Sequence, residues 1–454
     1  MKDFIRIASG QGYWGDRFDA PIDQVREGDI DYLVMDYLAE VTMSIMQKQK
    51  SRDPNLGYAK DFIPLMEQLL PLLVEKNVKL ITNGGGVNPV GCMIAIKDIA
   101  QRMGYTGLKI AAVYGDDILN QLDGLIASGN AMKNMETGEP LSKVRDRVSS
   151  ANVYLGAEPV VKALKEGAQI IVTGRVTDTG ISLAPMIYEF GWKADEWDKL
   201  AAGVVGGHIN ECGAQASGGN FLAGWKDVPN MERIGFPIVE AYPDGHLVIT
   251  KHESLGGMVS EQTIKEQLVY ELGDPKEYIT PDVVADFTSI RLKQEGKDRV
   301  RVYDIKGYPD TEFYKVSISY FDGYTCIGRL TYAWPEALEK AKKADDIVRK
   351  RLEHLGLKFD EIHTEFLGYN SCHGSTAPEI EDPNEVIFQF GVSGHSFKDM
   401  NAFSREVIPL VLTGPPTVTG FGDGRPRVRE VIAFWPALLV KEMVKPKVLT
   451  MEVS

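Results

Sequence analysis

The stretch Val78-Lys-Leu-Ile-Thr-Asn-Gly-Gly-Gly86 places three glycines after a short apolar run. An apolar run that ends in glycine and leads into a helix is typical of a strand at the rim of an open α/β sheet. The same pattern recurs at Ile5–Gly12, Val113–Asp117 and Ile170–Arg175. Because ligands bind outside the carboxyl ends of such strands, these four loops indicate where a binding site lies.

The pattern of predicted elements changes along the chain. Residues 1–228 alternate strands and helices, which predicts an α/β domain with a mostly parallel sheet flanked by helices. Residues 229–454 carry shorter strands of alternating polarity, which predicts an α+β domain with antiparallel strands. In that half we expect one strand at Asp286–Leu292 and two separate strands at Tyr314–Ser319 and Thr325–Tyr332.

Composition excludes several classes of protein. A net charge of −14 over 454 residues argues against nucleic acid as a partner, which requires a concentrated basic surface. No apolar stretch reaches the roughly 18 to 20 residues that span a bilayer, and the start lacks the apolar core of a signal peptide. The four cysteines lie far apart without CxxC spacing, so we expect free thiols in the cytoplasm. We also expect a homo-oligomer.

Two glycine-containing loops are predicted to bind substrate. In the loop that contains Asn83, Gly84, Gly85 and Gly86, consecutive N–H groups can form an anion nest for a phosphate, a carboxylate or a thioester oxygen. The alternative is a tight connection between strand and helix. Gly12, at the end of the first strand, permits close approach of a ligand or simply belongs to a tight turn.

The loop Gly174–Gly180 brings charge and hydroxyl groups to a third strand end. Arg175 offers a fork to a carboxylate or phosphate, and Thr177 adds a hydroxyl to the same substrate site. Asp178 is a candidate catalytic residue that would orient a hydroxyl or act as a base. The alternative is structural, with Asp178 capping a helix and pairing with Arg175.

The segment Gly206–Asn220 concentrates groups that transfer protons. His208 and Glu211 are predicted to be catalytic, and Cys212 to contact substrate. If the segment is helical, His208 and Glu211 are neighbours that can share a proton or a metal. No third ligand stands at a recognisable spacing, so no metal site is predicted.

Weaker candidates lie in the second half. Cys372 stands beside His373, and Asp423 stands near Arg425, so either pair is a candidate to complete a site.

Four motifs together resemble the acyclic terpene utilisation AtuA family. They are Ile5–Asp16, Thr82–Gly86, Thr173–Thr179 and Gly207–Gln215. The resemblance runs from the first strand to about residue 430. It implies a role in bacterial breakdown of terpenoid and related branched acids through acyl-CoA intermediates. It also implies a small ferredoxin-fold partner, which we expect here as a separate subunit because the chain ends at Ser454.

The residues favour an enzyme, a lyase of the hydratase type that acts on a carboxylic acid or its acyl-CoA thioester. One alternative is a non-catalytic subunit that binds a ligand or a partner, and another is a CoA transferase or ligase. No nucleotide-binding fingerprint is present, so the cofactor is unknown. CoA as part of the substrate and a divalent metal both stay open.

Overall fold

The computed structural model describes residues 2–420, 422 and 424–454. Within that part the strands are, in chain order, β1 (Ile5–Gln11), β2 (Tyr32–Met35), β3 (Lys79–Thr82), β4 (Lys109–Tyr114), β5 (Val148–Val153), β6 (Ile170–Thr173), β7 (Ile238–Ala241), β8 (Leu247–Thr250), β9 (Tyr278–Ile279), β10 (Val284–Asp286), β11 (Arg291–Gly296), β12 (Arg299–Tyr303), β13 (Lys306–Tyr308), β14 (Phe313–Ala333), β15 (Glu361–Leu367), β16 (Glu385–Gly394), β17 (Val418–Thr419), β18 (Arg429–Val440) and β19 (Lys447–Glu452).

The α-helices of the same residues are α1 (Ala20–Arg26), α2 (Glu40–Arg52), α3 (Phe62–Lys76), α4 (Pro89–Arg102), α5 (Leu122–Ala127), α6 (Glu158–Lys165), α7 (Gly180–Phe190), α8 (Trp197–Glu211), α9 (Glu261–Leu268), α10 (Ala337–His354), α11 (Phe397–Phe403) and α12 (Leu410–Thr413). None of them is long and apolar enough to cross a membrane.

The chain forms two compact units, one of residues 2–319 with 434–454 and one of residues 320–433. A mixed sheet of ten strands organises the first unit, in the order β11-β12-β8-β7-β1-β2-β3-β6-β4-β19. The central strands β1, β2, β3, β6 and β4 are parallel, and the flanking pairs are antiparallel. The prediction of a mostly parallel N-terminal sheet is therefore confirmed.

Helices cover both faces of the parallel strands. On one face, Leu33, Leu80 and Val172 are buried in a single core with residues of α1, α3 and α4. The residues that alternate with them, such as Ile81 and Ile171, are equally buried. The helices α6, α7 and α8 pack against that second face. Burial on both sides explains why these strands are nearly all apolar in sequence.

The second unit pairs a charged helix with an antiparallel sheet. Its sheet has the order β15-β16-β14-β17, and α10 packs on it. Along β16, alternate residues from Val386 to Val392 point into the core. They meet residues of α10 that recur at helical spacing, such as Ala341, Ala344 and Val348. This confirms the predicted α+β character with antiparallel strands.

Several predicted boundaries differ from the structure. The predicted strand Asp286–Leu292 is wrong, because β10 ends at Asp286 and β11 begins at Arg291, and the two belong to different sheets. The strands expected at Tyr314–Ser319 and Thr325–Tyr332 form one long strand, β14. The domain boundary predicted after residue 228 falls inside the first unit, because β7 pairs with β1 and returns the chain to the same sheet.

Candidate functional site

A cavity of about 840 Å³ opens in the first unit near the carboxyl ends of β1, β2 and β6. Gly12 directly follows β1, Asp36 directly follows β2, and Arg175 lies two residues beyond β6, and all three line the cavity. Parallel strands end at the same edge of a sheet, so these loops converge. The cavity thus lies at the edge of the sheet where the sequence predicts a binding site.

The cavity is rich in carboxyl groups. Its described lining residues include two cationic side chains, Arg175 and Lys315. The acidic side chains of the lining are Asp36, Glu40, Asp178, Glu211 and Glu271. Within this group burial raises the pKa of Asp36 and of Glu211, and carboxyl groups with shifted pKa values in a cavity are common in proton transfer.

Arg175 forms the centre of this charged lining. Its buried guanidinium donates to both Asp178 oxygens, with Nη1 at 2.6 Å from Oδ1 and Nη2 at 3.4 Å from Oδ2. The Tyr154 ring stacks on the guanidinium, and the ring centroid lies 4.2 Å from Cζ. The buried Asp116 accepts the backbone N–H of Arg175 at 2.9 Å and so fixes the loop. The fork expected to clamp a ligand carboxylate is therefore occupied by Asp178.

Asp36 is a buried carboxyl group that directly follows β2. Its Oδ1 accepts from Asn83 Nδ2 at 2.7 Å and from the Leu38 N–H at 3.0 Å. Burial raises the pKa of Asp36 well above its ordinary value, and the nearby Asp178 carboxylate raises it further, while Arg175 opposes both effects. Asp36 therefore keeps its proton to a higher pH than an exposed aspartate.

His208 and Glu211 meet near the end of α8, as the helical interpretation of their spacing predicts. Nδ1 of His208 lies 2.8 Å from Oε1 of Glu211. Nε2 lies 2.9 Å from the backbone oxygen of Gln267. Because that carbonyl oxygen can only accept, Nε2 carries a hydrogen and donates it. One further proton is then shared between Nδ1 and the Glu211 carboxyl group.

The pKa values of both His208 and Glu211 are raised by their surroundings. Burial raises the pKa of Glu211, and the partial counter-effect of His208 does not restore it. Burial alone would lower the pKa of His208, but the Glu211 carboxylate reverses this and raises it. His208 does not line the cavity and packs edge-on against the rings of Tyr278 and Phe287. Glu211 does line it, so His208 supports the group that faces a ligand.

Four buried polar atoms of the lining have no hydrogen-bond partner among the described residues. They are Arg175 Nε, Thr177 Oγ1, Thr179 Oγ1 and Glu211 Oε2. Buried polar atoms are nearly always satisfied, so a group of unsatisfied atoms around one cavity calls for a polar ligand or water. Thr177 and Arg175 were predicted to contact substrate, and Thr179 was not.

The glycine loop after β3 lies behind the cavity wall. Asn83 and Gly84–Gly86 are buried and do not belong to the described lining. The Gly84 N–H donates to Thr82 Oγ1 at 3.0 Å, and the Gly86 N–H donates to the backbone oxygen of Asn83 at 3.1 Å. These two hydrogens are used within the turn, and the Asn83 side chain orients Asp36 and accepts from the Tyr37 N–H. The geometry of this loop fits the alternative interpretation, a tight connection between β3 and α4.

The remaining predicted residues differ in their surroundings. Gly12 lines the cavity, and a Cβ there would come within 2.6 Å of the Gly213 nitrogen, so glycine is required for this close approach. Cys212 also lines the cavity, and burial raises the pKa of its thiol to about 12, which keeps it protonated. All four cysteines are free. Cys372 is exposed in the second unit, and Asp423 lies outside the described residues.

Sequence reasoning missed part of the lining. Asp36 directly follows the apolar strand β2, but no glycine marks that strand end in the sequence. Glu40 accepts from the Tyr154 hydroxyl at 2.6 Å, and Lys315 approaches the same carboxylate at 4.0 Å. Lys315 comes from β14, far along the chain. No local signal marks a residue that reaches a site through such a distant pairing.

A metal site does not emerge from this arrangement. Across residues 2–420, 422 and 424–454, no group of three or more His, Cys, Asp or Glu side chains is placed to hold a metal ion.

Fold and cavity together define an α/β protein with a carboxyl-lined site at the edge of its parallel strands. A family model covers residues 5–450, and the chain belongs to the family described as acyclic terpene utilisation family protein AtuA. Membership implies a role in acyclic terpene utilisation. No curated protein and no solved structure gave a match.

Proposed function

We propose that this protein is a lyase of the hydratase type that acts on an acyl thioester. The observation that carries the proposal is Glu211, a residue of the cavity lining whose Oε2 is buried and unpartnered among the described residues, while its Oε1 contacts His208. A carboxylate held in this way is suited to abstract a proton from carbon, and such a base contributes typically 10²- to 10⁴-fold to the rate.

The second group of the reaction is Asp36. Its raised pKa suits it to donate a proton, because a carboxyl group that stays protonated near neutral pH acts as a general acid. In dehydration of a 3-hydroxyacyl thioester, Glu211 takes the proton from C2 and Asp36 protonates the hydroxyl on C3. The C3–O bond breaks, the C2–C3 double bond forms, and water leaves. Hydration is the reverse.

Charge in the cavity favours a thioester over a free acid. The lining contains five carboxyl groups and two cationic side chains, which disfavours a negatively charged group at the reacting end of the substrate. A thioester carbonyl is neutral, and the Thr177 and Thr179 hydroxyls are available as donors to it. Arg175, paired with Asp178, would hold the loop in place.

The direct test is hydration of an enoyl thioester, followed by the loss of enoyl absorbance. Glu211→Gln and Asp36→Asn keep the size of each side chain and should each lower kcat by about 10²- to 10⁴-fold. Glu67→Gln, which replaces a half-exposed carboxyl on α3, should leave the rate unchanged. Equal rates in Glu211→Gln and the original protein would reject the proposal.

The same Glu211 oxygen favours one second candidate, a CoA transferase. In that reaction Glu211 would attack the thioester carbonyl and expel the CoA thiolate, which leaves a mixed anhydride between the acyl group and Glu211. The CoA thiolate would then attack the glutamyl carbonyl, which forms a glutamyl thioester and releases the acyl group as a carboxylate. Mass spectrometry after incubation with an acyl-CoA separates the two candidates. A mass increase localised at Glu211 would replace the hydratase by the transferase.

A further inference from the structure

A second hollow adjoins the carboxyl-lined cavity. This apolar groove has a volume of about 680 Å³ and is lined by Phe221, Leu222, Trp225, Met231 and Val269, among others. Three residues line both the groove and the cavity, namely Gln215, Tyr270 and Glu271. The two spaces therefore adjoin each other at these three residues.

The groove exposes an unusual amount of apolar surface. Leu222 is 84% exposed, Val269 is 68% exposed and Trp225 is 56% exposed. Single exposed apolar residues need no explanation, but a contiguous group beside a polar site is a mark of ligand binding.

The exposed side chains stand on a fixed frame. The N–H groups of Leu222 and Ala223 donate to the Glu266 carboxylate of α9 at 2.8 and 3.1 Å. Gln215 donates to Gln267 of the same helix at 3.0 Å. Val269 directly follows α9. Both walls of the groove are thus tied to one helix by hydrogen bonds.

We infer that the groove binds the hydrocarbon chain of the substrate whose thioester end lies in the cavity. The change from a carboxyl-rich to an apolar lining across one shared wall matches a ligand with one polar and one apolar end. The substrate class is then an acyl thioester with an extended, unfunctionalised chain, and short di- and tricarboxylates are excluded. The inference rests on the proposed function for the position of the thioester end.

The test uses neutral S-acyl-N-acetylcysteamine thioesters from butanoyl to decanoyl, with affinity measured by calorimetry. Burial of each added methylene should lower Kd roughly fourfold until the groove is filled. The double variant Leu222→Gln with Val269→Gln should weaken decanoyl binding by about tenfold or more and leave butanoyl binding unchanged. Ile94→Gln, at an exposed position of α4 outside the groove, is the matched control and should behave like the original protein.

A second binding series uses primary alcohols from butanol to decanol, which contain no thioester. Their affinity is measured in the same way. A gain in affinity with chain length that the groove variant abolishes supports the inference, even when no thioester is turned over. Binding of butanoyl thioester without any gain from longer chains overturns the inference and leaves the hydratase standing. A gain that the groove variant does not diminish, or no gain in either series, also overturns it.

Discussion

Burial changes the acidity of Asp36, the residue that we propose as the general acid. Its ionised form is disfavoured by burial and by Asp178, and its neutral form keeps both hydrogen bonds to Oδ1. A folded pKa above the unfolded value means that this group contributes stability at acidic pH. That stability is lost as the pH rises through the folded pKa.

Asp36→Asn should therefore change the pH dependence of stability. Asparagine keeps the accepting oxygen and cannot ionise, so the variant should gain stability relative to the original protein as the pH rises above about 4. Each unit of pKa shift corresponds to about 1.4 kcal/mol. Urea unfolding between acidic and alkaline pH measures the difference, with the exposed Asp195→Asn as control. A pH-independent difference would contradict the assignment.

The variant His208→Phe tests whether His208 acts by orienting Glu211. Phenylalanine fills the space between Tyr278 and Phe287 but removes the partner of Glu211. We expect kcat to fall by about 10²-fold because Glu211 loses its orientation. Without His208 the pKa of Glu211 should rise further, so the acidic limb of the kcat/KM profile should move to higher pH. An unshifted limb would mean that His208 does not tune Glu211.

Close packing holds the start of α7 against α8, the helix that carries His208 and Glu211. A Cβ on Gly207 would lie 2.6 Å from the Cα of Thr179, which directly precedes α7. Gly207→Ala should destabilise the protein by about 1 to 3 kcal/mol, since the two backbones must separate. Gly124 in α5 has open space around its Cβ position, so Gly124→Ala should raise stability by about 0.5 to 1 kcal/mol. Thermal unfolding of both variants checks this, and equal effects would contradict it.

The local signals of the sequence predict the parallel strands and their loops well. Apolar runs ending in glycine located β1, β3 and β6, and helical spacing paired His208 with Glu211. The role of the triple glycine was harder to predict, because a nest and a tight connection require the same residues. Only the partners of its N–H groups separate the two.

Non-local pairing sets the limit of sequence reasoning. The sheet extends from β1 through β7, β8, β12 and β11, and on its other side to β19. Those strands look like a separate antiparallel domain in sequence, because nothing local specifies which edge they join. The same limit applies to Lys315, which reaches the cavity from β14.

The charge of the whole molecule bears on which ligands it accepts. A net charge of −14 and a carboxyl-rich cavity both repel anions at long range. Decanoate should therefore bind more weakly than decanol at low ionic strength, and added salt should tighten decanoate binding by screening the repulsion. Calorimetry at two salt concentrations tests this, with decanol as the neutral reference. Decanoate binding that weakens with salt would indicate a cationic site instead.

Deuterium incorporation during hydration tests the role of Glu211 most directly. When an enoyl thioester is hydrated in D₂O, the carboxyl group that removes the C2 proton in dehydration carries deuterium instead and transfers it to C2. NMR detects the deuterium at that carbon. We expect incorporation at C2 by the original protein and by Glu67→Gln, and none above background by Glu211→Gln. Incorporation by Glu211→Gln at the original rate would show that another group moves this proton, and Glu211 would then not be the base.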